Sequence, residues 1–326
     1  MVDRDRIAAQ VSHCLTETNF DQLGTKYHGK VRDTYDLGDR LLLITTDRQS
    51  AFDRILAAIP FKGQVLNQVS AWWFEQTKDI VPNHVLSLPD PNALLAKKCT
   101  VFPVEFVVRG YLSGVTSTSA WMAYNKGERT FCGNLLPDGM VKNQAFAQPI
   151  ITPTTKSDTH DEKVSADEVV ARGLMSQADW DQCAKYTLEL FKRGQALAQQ
   201  HGLILVDTKY EFGKLPDGTI ILVDEVHTPD SSRYWLANTY AAKFAHGEEP
   251  ENIDKEFLRL WFMDHCDPYH DKELPAAPEE LVIELSARYI QLYEMITGQE
   301  FIYPDSAVPI ISRITNSLAT DHNPHT

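Results

Sequence analysis

Residues 205–213 read LVDTKYEFG and residues 220–225 read IILVDE, and these two stretches decide the fold class. In both, a short apolar run typical of a buried strand is followed at once by charged residues. Residues 216–218 (PDG) lie between them and predict a turn, so we expect the two runs to form a β-hairpin. Charged residues at the end of buried strands indicate a sheet that carries a functional site on one face.

The acids of this hairpin indicate a metal site. Strand side chains alternate between faces, so Asp207, Lys209 and Glu211 share one face. If the turn has two residues, Glu211 lies directly opposite Asp224, with the two Cβ atoms about 4.5–5.5 Å apart. Facing carboxylates repel each other, and Mg²⁺ relieves this because it takes one or two carboxylates together with substrate phosphates. We therefore predict a magnesium site there, with Lys209 contacting a phosphate or an anionic intermediate; the alternative is an ordinary solvated hairpin.

The rest of the chain predicts strands early and helices late. Ser176 begins one helix as its N-cap, and Gly202 follows its end. The elements predicted from patterning are a hairpin over 27–47, a helix over 66–78, a strand over 101–108, a helix over 176–200, and a helix between Pro278 and Gly298. This order favours α+β lobes around a cleft over regular βαβ alternation.

Composition limits the class of protein. The chain has 326 residues, 43% of them hydrophobic, and a formal net charge of −14, which argues against a nucleic-acid-binding surface. The charged N-terminus lacks the apolar stretch of a secretory signal, and no apolar run reaches the roughly 20 residues that span a bilayer. Five scattered cysteines without paired spacing indicate reduced thiols. We expect a cytoplasmic protein without nucleic-acid or membrane partners.

Two basic segments predict phosphate contacts. Lys30 and Arg32 share one strand face after Gly29, an arrangement that suits a triphosphate, although such a pair is more often solvated. Residues 109–119 (RGYLSGVTSTS) combine an arginine, glycines and hydroxyls, which suits a phosphate monoester. Arg233 follows the acidic hairpin and is predicted to reach the same phosphate. Serine-rich loops are also common as linkers.

Residues 265–270 (HCDPYH) place two histidines and a cysteine close together, but they do not predict a zinc site. A closed structural zinc site needs four well-placed ligands, usually in paired elements, and the sequence offers no such pairing.

Together these segments resemble the phosphoribosylaminoimidazole-succinocarboxamide synthase (SAICAR synthetase) family in its long single-chain form. The matching motifs, in chain order, are GKVRDxY at 29–35, TDRxSAFD at 46–53, KG at 62–63, FPVEFVVRGY at 102–111, TPxTK at 152–156, DxKxEFG at 207–213 and DExxTPDSSR at 224–233. The resemblance implies an α+β fold with a small β-rich N-terminal lobe (1–104), a larger α/β lobe (105–258) and a C-terminal helical segment (259–326). It also implies an ATP-grasp- or kinase-like nucleotide cleft.

The resemblance implies a reaction and a set of roles. The family joins carboxyaminoimidazole ribonucleotide (CAIR) to L-aspartate, and ATP is hydrolysed to ADP and phosphate. By similarity, the residues expected at ATP are Lys30, Arg32, Lys98 and Glu105; at Mg²⁺, Glu211 and Asp224; at the ribonucleotide phosphate, Arg109, Ser113, Ser119 and Arg233; and at the reacting groups, Asp53, Lys156, Asp161 and Lys209. A monomer or a homodimer is expected.

Many long-form members have serine where this chain has Val115, so Ser117 or Ser119 takes over the phosphate contact; we favour Ser119 because a helix is predicted to begin beside it.

Asp53 or Asp161 is the candidate base for the aspartate amine. Amide formation from a carboxylate requires activation, for which transfer of the γ-phosphoryl group to give an acyl phosphate is expected. A small-molecule kinase and a non-catalytic nucleotide-binding scaffold are the alternative functions.

Overall fold

The structure is a computed structural model that describes residues 2–52, 54–115, 119–156, 162–253 and 256–321. Its strands are β1 (Thr25–His28), β2 (Arg32–Asp36), β3 (Arg40–Thr45), β4 (Arg48–Ala51), β5 (Arg54–Ala58), β6 (Val85–Asp90), β7 (Ala93–Lys97), β8 (Thr100–Val101), β9 (Val104–Tyr111), β10 (Thr130–Phe131), β11 (Asn134–Leu135), β12 (Ala145–Ile151), β13 (Thr154–Thr155), β14 (Leu203–Lys214), β15 (Ile220–Val223) and β16 (Ser232–Leu236). Its helices are α1 (Arg4–Gln10), α2 (Lys62–Thr77), α3 (Ala120–Asn125), α4 (Ala166–Ala171), α5 (Gln177–Gln200), α6 (Ala237–Ala245), α7 (Glu256–His265), α8 (Glu279–Thr297) and α9 (Ile310–Asp321).

By their contacts, the described residues form two compact units. The first unit comprises the described residues of Met1–Trp72, His84–Lys98 and Asp254–Thr326. The second unit comprises those of Trp73–Asn83 and Cys99–Ile253. The division into two lobes and a helical segment, with boundaries at residues 104 and 258, stays a prediction. In the part of the chain that is described, no helix combines the length and apolarity needed to cross a bilayer.

The first unit is built on an antiparallel sheet with strand order β1-β2-β3-β7-β6. The predicted hairpin over 27–47 is confirmed, with Gly38 at a φ of 98° in the turn between β2 and β3. One face of this sheet is covered by α9, whose Ile314 and Leu318 pack with Leu42 and Ile44 in one apolar cluster. The C-terminal helix thereby completes the core of the N-terminal sheet.

The second unit is built on a seven-stranded sheet in which β14 is the longest strand. β14 pairs antiparallel with β9, β15, β16 and β8 along different parts of its length. The predicted long helix is confirmed as α5, capped by the Ser176 hydroxyl, which accepts from the Asp179 N–H at 3.1 Å. Trp180 of α5 stacks on Phe106 of β9 at 5.0 Å, and Phe212 of β14 lies 5.3 Å from Phe106. Because strand side chains alternate, this packing leaves the opposite face of β9 and β14 to the charged residues.

Several predicted elements differ in their bounds. The helix predicted over 66–78 is α2 and begins at Lys62, and the helix after Pro278 is α8, ending at Gly298 with a φ of 67° as expected. The strand predicted over 101–108 is two strands in the structure, β8 and β9. Residues 102 and 103 separate them and belong to neither strand. The pairing of Lys30 with Arg32 on one strand face is wrong: β2 begins at Arg32, so Lys30 lies before the strand.

The register predicted for the acidic hairpin is also wrong. Leu215 N–H donates to Thr219 O at 2.9 Å, so the connection is longer than the two residues assumed. As a result Glu211 pairs with Val223, and Asp224 lies just beyond the end of β15 rather than opposite Glu211. The physical reason is the loop: Asp217 accepts from the Thr219 N–H at 2.9 Å and so sets a turn that the Asp-Gly signal alone does not describe.

Candidate active site

One face of the second sheet carries a row of charged side chains. Glu105 and Arg109 come from β9, and Asp207, Lys209 and Glu211 come from β14; these strands pair so that Lys209 faces Val107 and Asp207 faces Arg109. The shared face predicted for the three β14 residues is confirmed by their partners: Lys209 bonds to Glu211, and Asp207 bonds to Arg109. The face divides into an acidic end around Lys209 and a basic end around Asp207.

At the acidic end, the ammonium group of Lys209 is surrounded by three carboxylates. Its Nζ lies 2.6 Å from Glu211 Oε1, 2.9 Å from Glu105 Oε1 and 3.5 Å from Asp224 Oδ2. Lys156 adds a second ammonium group, which bonds to the other oxygen of Glu211. Although the strand register differs from the prediction, Asp224 reaches the same group through a backbone turn with a φ of 67°. The structure therefore brings together Lys156, Lys209, Glu211 and Asp224 as a single cluster.

The pKa values of this cluster reflect its crowding. Burial raises the pKa of Glu211 and the charge of Asp224 raises it further, and the two lysines only partly offset this. Burial alone would lower the pKa of Lys209, but the charges of Asp224, Glu211 and Glu105 outweigh it and hold that pKa well above its usual range. The cluster is thus held with a surplus of negative charge around a buried carboxylate.

The cluster fits a magnesium ion that shares its coordination with a substrate. Within the described residues, no group of three or more His, Cys, Asp or Glu side chains is arranged to hold a metal by itself. Mg²⁺ in phosphoryl-transfer sites takes only one or two carboxylates and completes its octahedron with phosphate oxygens and water. Glu211 and Asp224 supply hard oxygen donors, and a cation would relieve the repulsion that raises the pKa of Glu211.

At the basic end, Asp207 is held between two arginines. Its carboxylate accepts from Arg109 Nη1 at 3.1 Å, from Arg233 Nε at 3.0 Å, and from Arg233 Nη2. Burial alone would raise the pKa of Asp207, but Arg233 and Arg109 together lower it. Arg109 is also fixed by a bond from its Nε to Thr152 Oγ1 at 3.0 Å. Two guanidinium groups around one carboxylate leave a net positive charge, which suits an anion.

Two serines that were predicted at the phosphate lie beside Arg233. Its Nη1 is 3.4 Å from Ser113 Oγ, and that hydroxyl in turn donates to Asn143 at 2.8 Å. Ser119 begins α3 as predicted, and its hydroxyl accepts from the Met122 N–H at 3.4 Å. Gly114 has a φ of 113°, and a Cβ at this position would overlap Ser119. Glycine is therefore required where the loop crosses the basic end.

Comparison with known proteins identifies the family. The sequence model of SAICAR synthetase matches residues 25–275 of the chain. The chain belongs to the SAICAR synthetase family. A phosphoribosylaminoimidazole-succinocarboxamide synthase from Legionella pneumophila (strain Lens) is 63% identical over 305 residues, which cover 94% of this chain and 97% of that protein. The chloroplastic synthase of Arabidopsis thaliana is 58% identical, covering 96% of this chain and 77% of that protein.

A solved structure confirms that this chain has the fold of the SAICAR synthetase family. The SAICAR synthase of Saccharomyces cerevisiae, determined in complex with SAICAR, superposes with a TM-score of 0.77 at 32% identity. The match covers 89% of this chain and all of the yeast chain. The predicted α+β fold class, with the ATP-grasp-like architecture of this family, is therefore correct.

The other residues that family resemblance points to belong to the first unit or lie outside the described residues. Lys30, Arg32 and Lys98 belong to the first unit, where Lys98 Nζ bonds to Asp36 Oδ2 at 2.6 Å. Asp53, Asp161 and Ser117 lie outside the described residues. Glu105 lies within the lysine–carboxylate cluster, and its expected contact with ATP stays a prediction.

Sequence reasoning missed the parts played by Asp207 and Thr152 in this SAICAR synthetase. Asp207 was placed on the right face but given no role, although a buried acid beside two predicted phosphate-binding arginines is itself a signal. Thr152 could have been found from its place in the TPxTK motif.

The histidines at 265 and 270 pair locally: His265 stacks on Trp261 at 4.3 Å, and His270 lies 2.9 Å from Asp267.

Proposed function

We propose that this chain joins CAIR to L-aspartate in de novo purine (IMP) biosynthesis, with ATP converted to ADP and phosphate, and releases the succinocarboxamide ribonucleotide SAICAR. The observation that carries the proposal is the 63% identity to a phosphoribosylaminoimidazole-succinocarboxamide synthase over nearly the whole of both chains. The charged face of the second sheet supports it, because it pairs an anion-binding end with a carboxylate cluster on two adjacent strands.

The basic end is proposed to bind the ribonucleotide phosphate. Arg109 and Arg233 offer guanidinium groups whose planar donors match phosphate oxygens, and Asp207 holds both in place. Ser113 and Ser119 add hydroxyl donors beside Arg233. Anchoring the phosphate at this end directs the rest of the substrate along the sheet face toward the lysines.

The acidic end is proposed to hold the reacting groups. Glu211 and Asp224 are the proposed ligands of Mg²⁺, which when bound supplies positive charge to the phosphates of ATP. Lys209 and Lys156 are already positioned by Glu211, so they present fixed ammonium groups to the carboxylate and phosphoryl oxygens. The Glu105 carboxylate holds Lys209 at 2.9 Å; the contact of Glu105 with ATP remains part of the proposal.

Activation of the CAIR carboxylate by the γ-phosphoryl group is proposed to give an acyl phosphate, which the aspartate amine then attacks. No protein nucleophile is needed for this sequence, and the charged face serves to align three anionic substrates. Lys30, Arg32 and Lys98 are proposed at ATP. Asp53 or Asp161 is the proposed base for the amine.

An ADP-release assay separates this ligase from a kinase. Enzyme, CAIR, ATP and Mg²⁺ are incubated with and without L-aspartate, and ADP is followed together with the mass of the product. The ligase requires aspartate for sustained ADP release and forms one SAICAR for each ADP. Equal ADP release without aspartate would indicate a kinase, and no release in either arm would indicate a non-catalytic binding protein.

A cytoplasmic location and a monomeric or homodimeric state also remain proposals. Light scattering after size-exclusion chromatography measures the second directly, because the masses of the two states differ by a factor of two.

A further inference from the structure

The side chain of Arg48 is buried behind the loop that joins β1 to β2. Arg48 is 2% exposed, and its guanidinium group donates from Nη2 to Gly29 O at 2.8 Å and from Nε to Lys30 O at 3.2 Å. A guanidinium group carries five N–H donors in a fixed planar fork, so it can hold several acceptors at set angles. Arg48 thereby fixes two consecutive carbonyls of residues 29–31, which we call the GKV loop.

The third carbonyl of the GKV loop is held by a neighbour of Arg48. Val31 O accepts from the Thr46 N–H at 3.0 Å and from the Thr46 hydroxyl at 2.8 Å. Thr46 and Arg48 are two residues apart in the TDRxSAFD motif. All three carbonyls of the loop therefore bond to one short segment of the chain, and this segment sets the orientation of the loop's peptide planes.

Asp33 compensates the buried charge of Arg48. Its carboxylate is 0% exposed, and Oδ1 accepts from Arg48 Nη2 at 2.9 Å. Oδ2 accepts from the N–H group and the hydroxyl of Thr18, each at 2.8 Å. Burial alone would raise the pKa of Asp33, but the bonds from Thr18 and Arg48 lower it, so the carboxylate stays charged. A buried arginine paired in this way is a fixed support for the loop, because separating the pair would leave a buried charge uncompensated.

The carbonyls determine the direction of two N–H groups in the GKV loop. Every peptide bond among the described residues is trans, and in a trans peptide the N–H points away from the C=O of the same plane. The N–H groups of Lys30 and Val31 share their planes with the two carbonyls that Arg48 holds, so both point away from Arg48. Lys30 itself is exposed. Successive backbone N–H groups beside an ammonium group suit the oxygens of a phosphate.

We propose that Arg48 is a positioning residue for the nucleotide: it holds the carbonyl side of the GKV loop so that the opposite side, which carries Lys30, meets the phosphates of ATP. This inference rests on the proposed function in placing Lys30 at ATP. Arg48 acts through the loop and not by contact with the nucleotide.

A calorimetric titration of the full chain with ADP and Mg²⁺ tests this role. Arg48→Lys keeps a positive charge beside Asp33 but replaces the planar fork by a single ammonium group, so the loop should be in place in a smaller fraction of the molecules. Apparent affinity falls in proportion to that fraction, and we expect ADP to bind about tenfold more weakly. Thr46→Val removes only the hydroxyl bond to Val31 and should weaken ADP binding about two- to fivefold.

Thr18→Val is the matched control. The Thr18 hydroxyl bonds to Asp33 Oδ2 and to the Tyr35 hydroxyl, and both partners belong to β2 rather than to the GKV loop. Thr18→Val should therefore lower the melting temperature and leave the affinity for ADP unchanged.

Steady-state kinetics separate positioning from a merely structural role. Arg48→Lys should raise the KM for ATP by the same factor as it weakens ADP binding, and it should leave the KM for CAIR unchanged. An arginine that only stabilised the fold would lower the melting temperature without this difference between the two substrates.

Unchanged affinity for ADP in folded Arg48→Lys and in Thr46→Val would overturn the proposal, and so would an equal loss of affinity in Thr18→Val. If Arg48→Lys does not fold, the comparison of Thr46→Val with Thr18→Val decides. The titration requires no ligation, so its result is independent of the ADP-release assay. SAICAR formation by a protein whose ADP binding does not depend on Arg48 and Thr46 would overturn this inference alone. ADP binding that depends on them, without SAICAR formation, would overturn the proposed function alone.

Discussion

Asp207→Asn removes the charge that holds Arg109 and Arg233 together while preserving the size of the side chain. The side chains of Asp207, Arg109 and Arg233 are only 9%, 16% and 28% exposed, so water screens the arginines poorly once the carboxylate is gone. Breaking a buried ion pair by removing one partner costs about 3–5 kcal/mol. Because the arginines keep some contact with water, we expect the lower end, about 3 kcal/mol. For a unit of this size that lowers the melting temperature by about 6–12 °C.

The pH dependence gives a second readout of the same interaction. The folded state lowers the pKa of Asp207, so its stabilisation is present above the unfolded pKa of about 3.9 and is lost as pH falls through the folded pKa. The stability difference between the unchanged protein and Asp207→Asn should therefore be complete at pH 7 and shrink below about pH 4.

Urea denaturation followed by fluorescence at pH 7 and at lower pH measures both effects. Asp138→Asn is the matched control, because Asp138 forms an exposed pair with Arg129 and is 90% exposed. Its denaturation midpoint should not change. If Asp207→Asn unfolds at the same urea concentration as the unchanged protein at pH 7, the carboxylate does not hold the two arginines and the account of the basic end is wrong.

Three further predictions concern turnover and substrate affinity. Glu211→Gln and Asp224→Asn should each remove most turnover yet leave the melting temperature of the ligand-free protein unchanged or slightly higher, since burial and Asp224 already disfavour the charge of Glu211; near-normal activity of both variants at ordinary Mg²⁺ would contradict the metal assignment. Arg233→Lys keeps the charge but loses the two-point contact with Asp207, so the KM for CAIR should rise far more than the KM for ATP. Equal use of the dephosphorylated nucleoside would show that the arginines bind something else. Ser119→Ala should raise the KM for CAIR about ten- to hundredfold, the effect of a lost hydrogen bond to a charged group, and by more than Ser117→Ala does. A larger effect of Ser117→Ala would place the phosphate elsewhere in the loop.

Local signals in the sequence were enough to predict the face of β14 and the ends of several helices. Alternation along a strand and a serine N-cap act over a few residues, so Lys209 and Ser176 could be placed without tertiary information. The pairing of β9 with β14 joins distant segments of the chain and was not predicted from these signals.

Contacts between distant parts of the chain could not be predicted in this way. The register of Glu211 depends on the length of a turn that an Asp-Gly signal does not fix. Lys156 reaches Glu211 from a segment 55 residues away, and its local sequence gives no sign of that partner. The packing of α9 on the first sheet brings together the two ends of the chain. The amphipathic pattern of a helix does not determine which sheet the helix packs against.

The position of α9 has a consequence for how the protein is made. Ile314 and Leu318 of α9 complete the apolar cluster that contains Leu42 and Ile44. The core of the first sheet therefore stays incomplete during synthesis until α9 has left the ribosome. At about 5–20 residues per second, the roughly 270 intervening residues take on the order of 14–54 s to synthesise. During that time the apolar face of the N-terminal sheet is open to chaperones and to other nascent chains, whereas the last strand of the second sheet, which ends at residue 236, is made before α9.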